Sequence, residues 1–416
     1  MAIFLKEWSE QLKTYNQNIK LAIWANIFSQ IGMGMFMVIY NIYIQELGLS
    51  HDVNGQVIAL TALATAIILV PAGIMSDKLG RKRVMAFGVL LTGLILILRS
   101  LVELQSLLLI TGFATGVFTA FLQVSSIPWL AENSNPKQRV HLFSLHAAIM
   151  TAANVVGSLL GGTLTDFFSL FTSDLSAIRF TLMIGSIFYL VAFFPIIKMV
   201  EKPKPKVEKV DRVPFREFLK VNKTGFKVIA LFAVAQLLIG FGSGLVIPYL
   251  NLYFADRFAA SNSMIGLIIS LGQAATAVAM FIGPVVVKKV GEVRAVVYLQ
   301  LSSLPFLLLT AYTENLLLAS LGFLFRQALM NAGNPIQSSL MMSKVDDSVK
   351  GLANSINQMV FQLGWAFMGP VSTSIVMMYG SYWGYAHIFT ITAGLYLIGS
   401  VYFFVVFRRL KSTEEE

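Results

Sequence analysis

Apolar runs long enough to cross a lipid bilayer recur twelve times along this chain, and that recurrence limits its possible folds more than any other feature. A transmembrane helix needs about 20 predominantly apolar residues. Runs of that order fall near residues 19–44, 55–75, 84–101, 107–130, 142–164 and 178–197, then near 228–254, 264–287, 295–312, 316–342, 352–378 and 386–407. Composition agrees, with 56% hydrophobic and 12% charged residues, against about a quarter charged in soluble domains. The expected fold class is an all-α integral membrane protein with twelve transmembrane helices.

The polar segments divide the chain. Residues 1–18 form an N-terminal arm in which Phe4, Trp8, Leu12, Tyr15 and Ile19 keep helical spacing, as in an amphipathic helix lying on a membrane. Residues 19–197 carry six spans and 228–407 carry six more, and 408–416 form a short tail. Between the two sets lies 198–227, containing EKPKPKVEKVDRVPFREFLK, whose prolines and mixed charges read as a solvated linker. An even number of spans puts both ends on one face. With that face cytoplasmic, 27 of the 31 basic residues fall on it; Arg99, Arg179 and Arg257 fall opposite and Arg326 lies inside a span. The positive-inside rule therefore places both termini and the linker in the cytoplasm of a multi-pass cell-membrane protein. The net charge of +10 is accounted for by topology, and nucleic acid is not an expected partner.

The two sets of spans are related by an internal repeat. GMGMFMVIYNIYIQE at 32–46 returns 210 residues later as GSGLVIPYLNLYFAD, aligning Gly32 with Gly242, Gly34 with Gly244, Asn41 with Asn251, Tyr43 with Tyr253 and Glu46 with Asp256. Ala64-Thr65-Ala66 matches Ala275-Thr276-Ala277, and Gly112-Phe113 matches Gly322-Phe323, at nearly the same offset and in the same span order. The expectation is two pseudo-symmetric six-helix bundles.

Between spans two and three stands GIMSDKLGRKR, from Gly73 to Arg83. It resembles the G-x-x-x-D-R/K-x-G-R-R/K signature of the major facilitator superfamily, and the six-plus-six layout resembles that family too. The second half keeps only Gly291 and Arg294 of the signature. The resemblance implies a gating role for Gly73, Asp77, Lys78, Gly80, Arg81 and Lys82, with Arg81 paired to Glu132 at the end of span four. Asp77 would face the positive N-terminal end of span eleven. Gly157, Gly161 and Gly162 on span five resemble the G-P-x-x-G-G of drug/proton antiporters with Ser158 in the proline's place, although small residues also serve plain helix packing.

Transporter sites sit near the midplane between the halves. On the helices that face such a cavity, the substrate-binding residues expected are Gln30, Phe36, Gln123, Gln236, Tyr249, Arg326, Asn331, Asn334, Gln358 and Trp365. Gln273, Asn357, Gln362, Phe121, Phe325, Met33 and Met37 lie on the same helices. Amides with aromatics and soft methionines suit an amphipathic organic molecule. All 21 acidic residues lie in loops or near span ends, so proton coupling would fall to Glu46, Asp256, His146, Asp166 or Glu132. Arg326 is the deepest cation, either a place for an anionic or electronegative group or a structural donor to helix carbonyls and to Asn and Gln of the other half.

No Cys is present, and no metal-ligand cluster, nucleophile elbow or phosphate loop appears, so neither an enzyme nor a cofactor is expected. The expected function is secondary active transport of a small organic molecule by alternating access, with proton-coupled efflux of an amphipathic, multidrug-like compound set beside uniport or exchange of an organic anion or lipid-like substrate. The partners expected are the substrate, the bilayer and protons, and the expected state is a monomer. A sensor or scramblase on the same fold is the reading from another class.

Overall fold

The computed structural model describes residues 15–201, 223–345 and 349–408. The amphipathic arm before Tyr15, most of the linker with Phe215, Phe218 and Leu219, and the tail after Arg408 lie outside them. In hydrocarbon, a backbone with no water to bond must satisfy its own N–H and C=O groups, and helices do so within each segment. The described secondary structure is accordingly helical throughout.

Six helices make the first half: α1 (Gln17–Glu46), α2 (His51–Leu79), α3 (Arg81–Leu101), α4 (Gln105–Glu132), α5 (Pro136–Ser169) and α6 (Asp174–Val191, continued by Phe193–Lys198). The second half begins with α7 (Lys223–Val246), continued after a 3₁₀ turn at Ile247–Tyr249 by Leu250–Phe258. Pro248 has no N–H and interrupts the ladder there. Then follow α8 (Asn262–Val290), α9 (Glu292–Tyr312) and α10 (Leu316–Ala332, continued by Asn334–Ser343). The last helical run, Lys350–Phe407, would extend roughly 87 Å if straight, far more than a ~30 Å hydrocarbon core. Gly380, at φ 75° and ψ 177°, turns the chain back. We call the parts before and after it α11 and α12, which completes twelve spans.

The repeat seen in the sequence reappears as packing. A Cβ on Gly32 would press on Gly185 and Tyr189 of α6, and one on Gly242 on Thr392 and Tyr396 of α12. A Cβ on Gly34 would meet Asn154 and Gly157 of α5, and one on Gly244 would meet Gly364 and Trp365 of α11. Gly32, Gly34 and Gly244 thus bring the first helix of a half against the backbone of the fifth or sixth, and Gly242 makes room for side chains of the sixth. Tyr43 donates to the Val102 carbonyl at 2.8 Å, and Tyr253 donates to the Thr310 carbonyl at 2.5 Å, so the same tyrosine ties helix one of each half to helix three.

On the face away from the start of α1 and the end of α12, here called the far face, buried side chains of both halves meet. One apolar cluster runs through the first half and into the far-face part of the second, where Tyr253, Phe254 and Phe389 are buried. A separate cluster around Phe232, Phe403 and Phe407 holds the opposite end of the second half.

Candidate functional site

Two cavities meet at Trp365, one mainly in each half. The larger, of about 640 Å³, is walled mainly by α1 to α6 and closed toward the second half by Pro248, Gln362 and Trp365. It runs from Asn41 and Arg99 near the far face to Ser126 and Ile127, within two turns of the end of α4. The smaller, of about 200 Å³, lies between α7, α10 and α11 and is lined by Gln236, Arg326, Asn331 and Asn334. Trp365 borders both cavities and is fixed by an indole hydrogen bond to the Ser243 hydroxyl at 2.9 Å.

The expected binding residues divide between these spaces. Gln30, Phe36 and Gln123 line the large cavity together with Met33, Met37 and Gln362. Gln236, Arg326, Asn331 and Asn334 line the small one. Gln123 donates to Gln358 at 2.9 Å, bridging α4 to α11, so Gln358 takes part as a cross-half link. Tyr249 departs from the expectation. The 3₁₀ turn at Pro248 displaces it from the cavity-facing stripe, leaving its ring 2% exposed and its hydroxyl on the Gly369 carbonyl at 3.1 Å. Phe325 departs as well, being 52% exposed on the outside of the bundle and stacked on Phe306. Phe121 belongs to an apolar cluster with Ala72 and Val84.

Arg326 is 3% exposed and satisfied in part within its own bundle. It donates to Gln327 at 2.8 Å and to the Tyr396 hydroxyl at 2.5 Å, with its guanidinium 5.3 Å from the Tyr396 ring centre.

Sequence alone places Arg99 at the far-face end of its span, and the structure puts it in the wall of the large cavity. It is 6% exposed, stacked 3.9 Å from the Tyr40 ring centre, and donates to the Thr115 hydroxyl at 3.2 Å. The legible signal was its place before the end of an apolar run. His146 also moves: α5 begins at Pro136 instead of near 142, so His146 stands about ten residues, or roughly 15 Å, into the helix. It lines the large cavity with Nε2 unpartnered.

Of the remaining coupling residues, Glu132 lies at the opposite face with Arg81, and Asp256, Asp166 and Glu46 lie at the far face. Asp256 accepts from Tyr385 at 2.8 Å and from Gln45 at 3.3 Å, and His51 lies 3.8 Å away, so it bridges the halves. Asp166 of α5 accepts from the backbone N–H groups of Asn262 and Ser263 at 3.2 and 2.7 Å, placing an anion on the first turn of α8. Glu46 is exposed at the end of α1. Gly157 and Gly161 pack against Ile31 and Met35 of α1, whereas a Cβ on Gly162 would overlap the Asn262 carbonyl of the other half.

At the opposite face, Gly73 to Lys82 span the end of α2 and the start of α3. Gly80 adopts φ 99°, the left-handed turn that favours glycine. A Cβ on Gly73 would meet open space, so close packing there does not account for that glycine. Arg81 lies 2.9 Å from Asp77 and 2.7 Å from Glu132, and its backbone N–H donates to Glu201 at 2.6 Å. Lys78 and Lys82 lie at the chain turn beside it.

Comparison with known proteins agrees with the two-bundle architecture. Residues 22–235 and 232–416 each match the model of the Major Facilitator Superfamily. The chain is 24% identical over 386 residues to an uncharacterized MFS-type transporter of Methanocaldococcus jannaschii, covering 90% of this chain and 95% of that one. It is 25% identical to multidrug resistance protein 1 of Bacillus subtilis over 85% of this chain and 89% of that one. With the multi-drug resistance efflux pump PmrA of Streptococcus pneumoniae it shares 24% identity over 96% and 98% of the two chains. Among solved structures, a bacterial homolog of the human lysosomal transporter Spinster, inward-facing and unoccupied, superposes with a TM-score of 0.75 at 14% identity, covering 93% and 95% of the two chains. The nucleoside transporter NupG superposes with a TM-score of 0.73 at 17% identity, over 95% and 100%. The chain is a multi-pass membrane protein and belongs to the major facilitator superfamily.

Proposed function

We propose that this protein exports amphipathic organic compounds across the cytoplasmic membrane by alternating access, with both termini and the linker in the cytoplasm. The observation that carries the reading is the large cavity, walled mainly by the first half. Its volume of about 640 Å³ and its mixture of Met33, Phe36, Met37 and Trp365 with Gln30, Gln123 and Asn154 suit broad apolar contact and a few oriented hydrogen bonds. The names of the Bacillus and Streptococcus relatives point to export of more than one compound, and soft, adaptable methionines suit such tolerance.

Proton coupling in this reading falls to His146 in the cavity wall and to Asp256 at the far-face junction of the halves. Among the described residues lining either cavity there is no carboxylate, so the coupling proton resides on an imidazole or at the periphery.

The test is transport into proteoliposomes of a fluorescent amphipathic dye, with and without an imposed pH gradient. Gradient-driven accumulation that disappears in His146→Ala or Asp256→Asn supports the reading. Accumulation indifferent to the gradient in the wild type removes the coupling, and no movement of any dye removes the transport function. Orientation is checked separately in this Cys-free chain by single cysteines at Ser173 and Lys206. An impermeant thiol reagent on whole cells should label position 173 and spare 206; labelling at 206 alone would reverse the topology.

A further inference from the structure

The large cavity contains one residue whose placement bears on what it carries. Arg99 sits in the last turn of α3, beside Tyr40 and Asn41 at the cavity's far-face end. That end is closed by the contacts between Asn41 of α1 and Asn251 and Pro248 of α7. A guanidinium is always charged and carries five N–H donors. Arg99 uses them on one side-chain hydroxyl, that of Thr115, which already donates to the Thr111 carbonyl. Its Nε is buried without a partner, as are those of Arg179, Arg257 and Arg326, so the difference lies in the terminal nitrogens.

The other arginines at this depth are better provided for. Arg179 pairs with Glu103, the acid nearest to Arg99 in sequence. Arg257 donates to the Ala311 and Thr313 carbonyls at 2.5 and 2.9 Å and lies over the Tyr382 ring. Arg326 has an amide oxygen and a phenol. Arg99 therefore stands out as a buried cavity-lining cation whose terminal N–H groups are given one neutral oxygen, where Arg326 in the smaller cavity has two, and no carboxylate is among the described residues that line the large cavity. Ionisable side chains in the membrane interior are expensive, and they persist where they meet a ligand or partner.

We propose that the large cavity is an organic-anion site. Arg99 at its closed end holds the carboxylate of an amphipathic substrate, and Tyr40, Phe36, Met33 and Met37 hold its apolar body. This assignment rests on the export reading above and fixes the charge of the exported compound. A planar guanidinium grips a carboxylate through two parallel N–H···O bonds, a geometry that an amide or an ammonium does not reproduce. Tyr40, stacked on one face of the guanidinium, leaves the N–H edge as the side for ligand. Gln30 and Gln123, farther along the cavity, remain for neutral polar groups. The basic residues concentrated at the face toward which the cavity extends, among them Arg81, Lys82, Arg83 and Lys350, would draw anions toward it.

The experiment compares three probes of one shape on the purified full-length protein: pyrenebutyrate, its neutral amide, and pyrenebutylamine. The wild type should bind the carboxylate about tenfold more tightly than the amide, and the amine most weakly. Arg99→Gln should lose the preference for the carboxylate while still binding the amide, and that amide binding also reports that the variant is folded. Arg99→Lys should keep part of the preference, and Arg179→Gln, outside the cavity lining, should keep all of it. The wild-type ranking needs no variant to be decisive: equal binding of acid and amide, or preference for the amine, overturns the anion site, as does an unaltered preference in Arg99→Gln. Transport of the same probes in proteoliposomes scores the export reading separately. Carboxylate-selective binding without transport would overturn export and leave the site standing, whereas transport of the amine in preference would overturn the site and leave export standing.

Discussion

The side-chain amide of Asn41 donates to the carbonyl of Pro248 at 2.6 Å, and that of Asn251 donates to the carbonyl of Val38 at 2.7 Å. Asn251 is Asn41 moved by 210 residues, and Pro248 is Val38 moved by the same offset. The two bonds are therefore one interaction repeated by the pseudo-two-fold axis, with Asn41 also reaching the Asn251 amide oxygen at 3.0 Å. This reciprocal clasp closes the far end of the large cavity.

Breaking the clasp should favour the conformation open at the far face. A buried amide left without its partner costs roughly 1–3 kcal/mol, enough to shift a two-state population about five- to 150-fold. Asn41→Ala and Asn251→Ala should each raise labelling of a single cysteine at Thr61, in the cavity wall, by a reagent applied from the far face. The double variant should add little to either single one, because both remove the same network. Additive effects would show that the two asparagines act independently.

The glycines of α5 should separate by what they face. Gly157 packs on Ile31 within its own half, so Gly157→Val should lower thermal stability by about 1–3 kcal/mol through overpacking. Gly162 meets Asn262 across the halves, and Gly266 of α8 approaches Ser158 in the same contact. Gly162→Val should leave the melting temperature near wild type, abolish transport and raise far-face accessibility of a cysteine at Thr61. Equal loss of stability in both variants would make the string a packing motif alone.

At the opposite face, the Arg81 side chain is 13% exposed and its partners Asp77 and Glu132 are 64% and 46% exposed. Ion pairs so open to solvent contribute about 0.2–1 kcal/mol each. Asp77→Asn should accordingly fold normally and bind substrate, and its transport should fall because it weakens the closure of this face. Accessibility of a cysteine at Ser126 from this side should rise. Unchanged transport in Asp77→Asn would remove the loop from the cycle.

Arg326→Gln tests the second buried cation. The change strands the Tyr396 hydroxyl and the Gln327 amide oxygen, so stability should drop by roughly 1–3 kcal/mol. Binding of pyrenebutyrate in the other cavity should persist. A stable Arg326→Gln protein that has lost carboxylate binding would move the anion site from Arg99 to Arg326.

The spans, their number and their two-fold repeat were legible before any tertiary contact was known. They follow from local chemistry: a helix in hydrocarbon satisfies its own backbone, and apolar length counts the crossings. The signature loop was legible for the same reason, since its spacing lies within one contiguous segment. Which side chains share a cavity was a different matter. Helix rotation and breaks decided that, and they arise from contacts between segments far apart in the chain. The interruption at Pro248 turned Tyr249 into the packing, and the start of α5 at Pro136 carried His146 into the cavity wall. Arg99 reads in sequence as one of a few far-face charges, because sequence shows how near a residue is to a span end but not which neighbour it leans on. Only the fold set it against Tyr40, away from Glu103, which Arg179 engages.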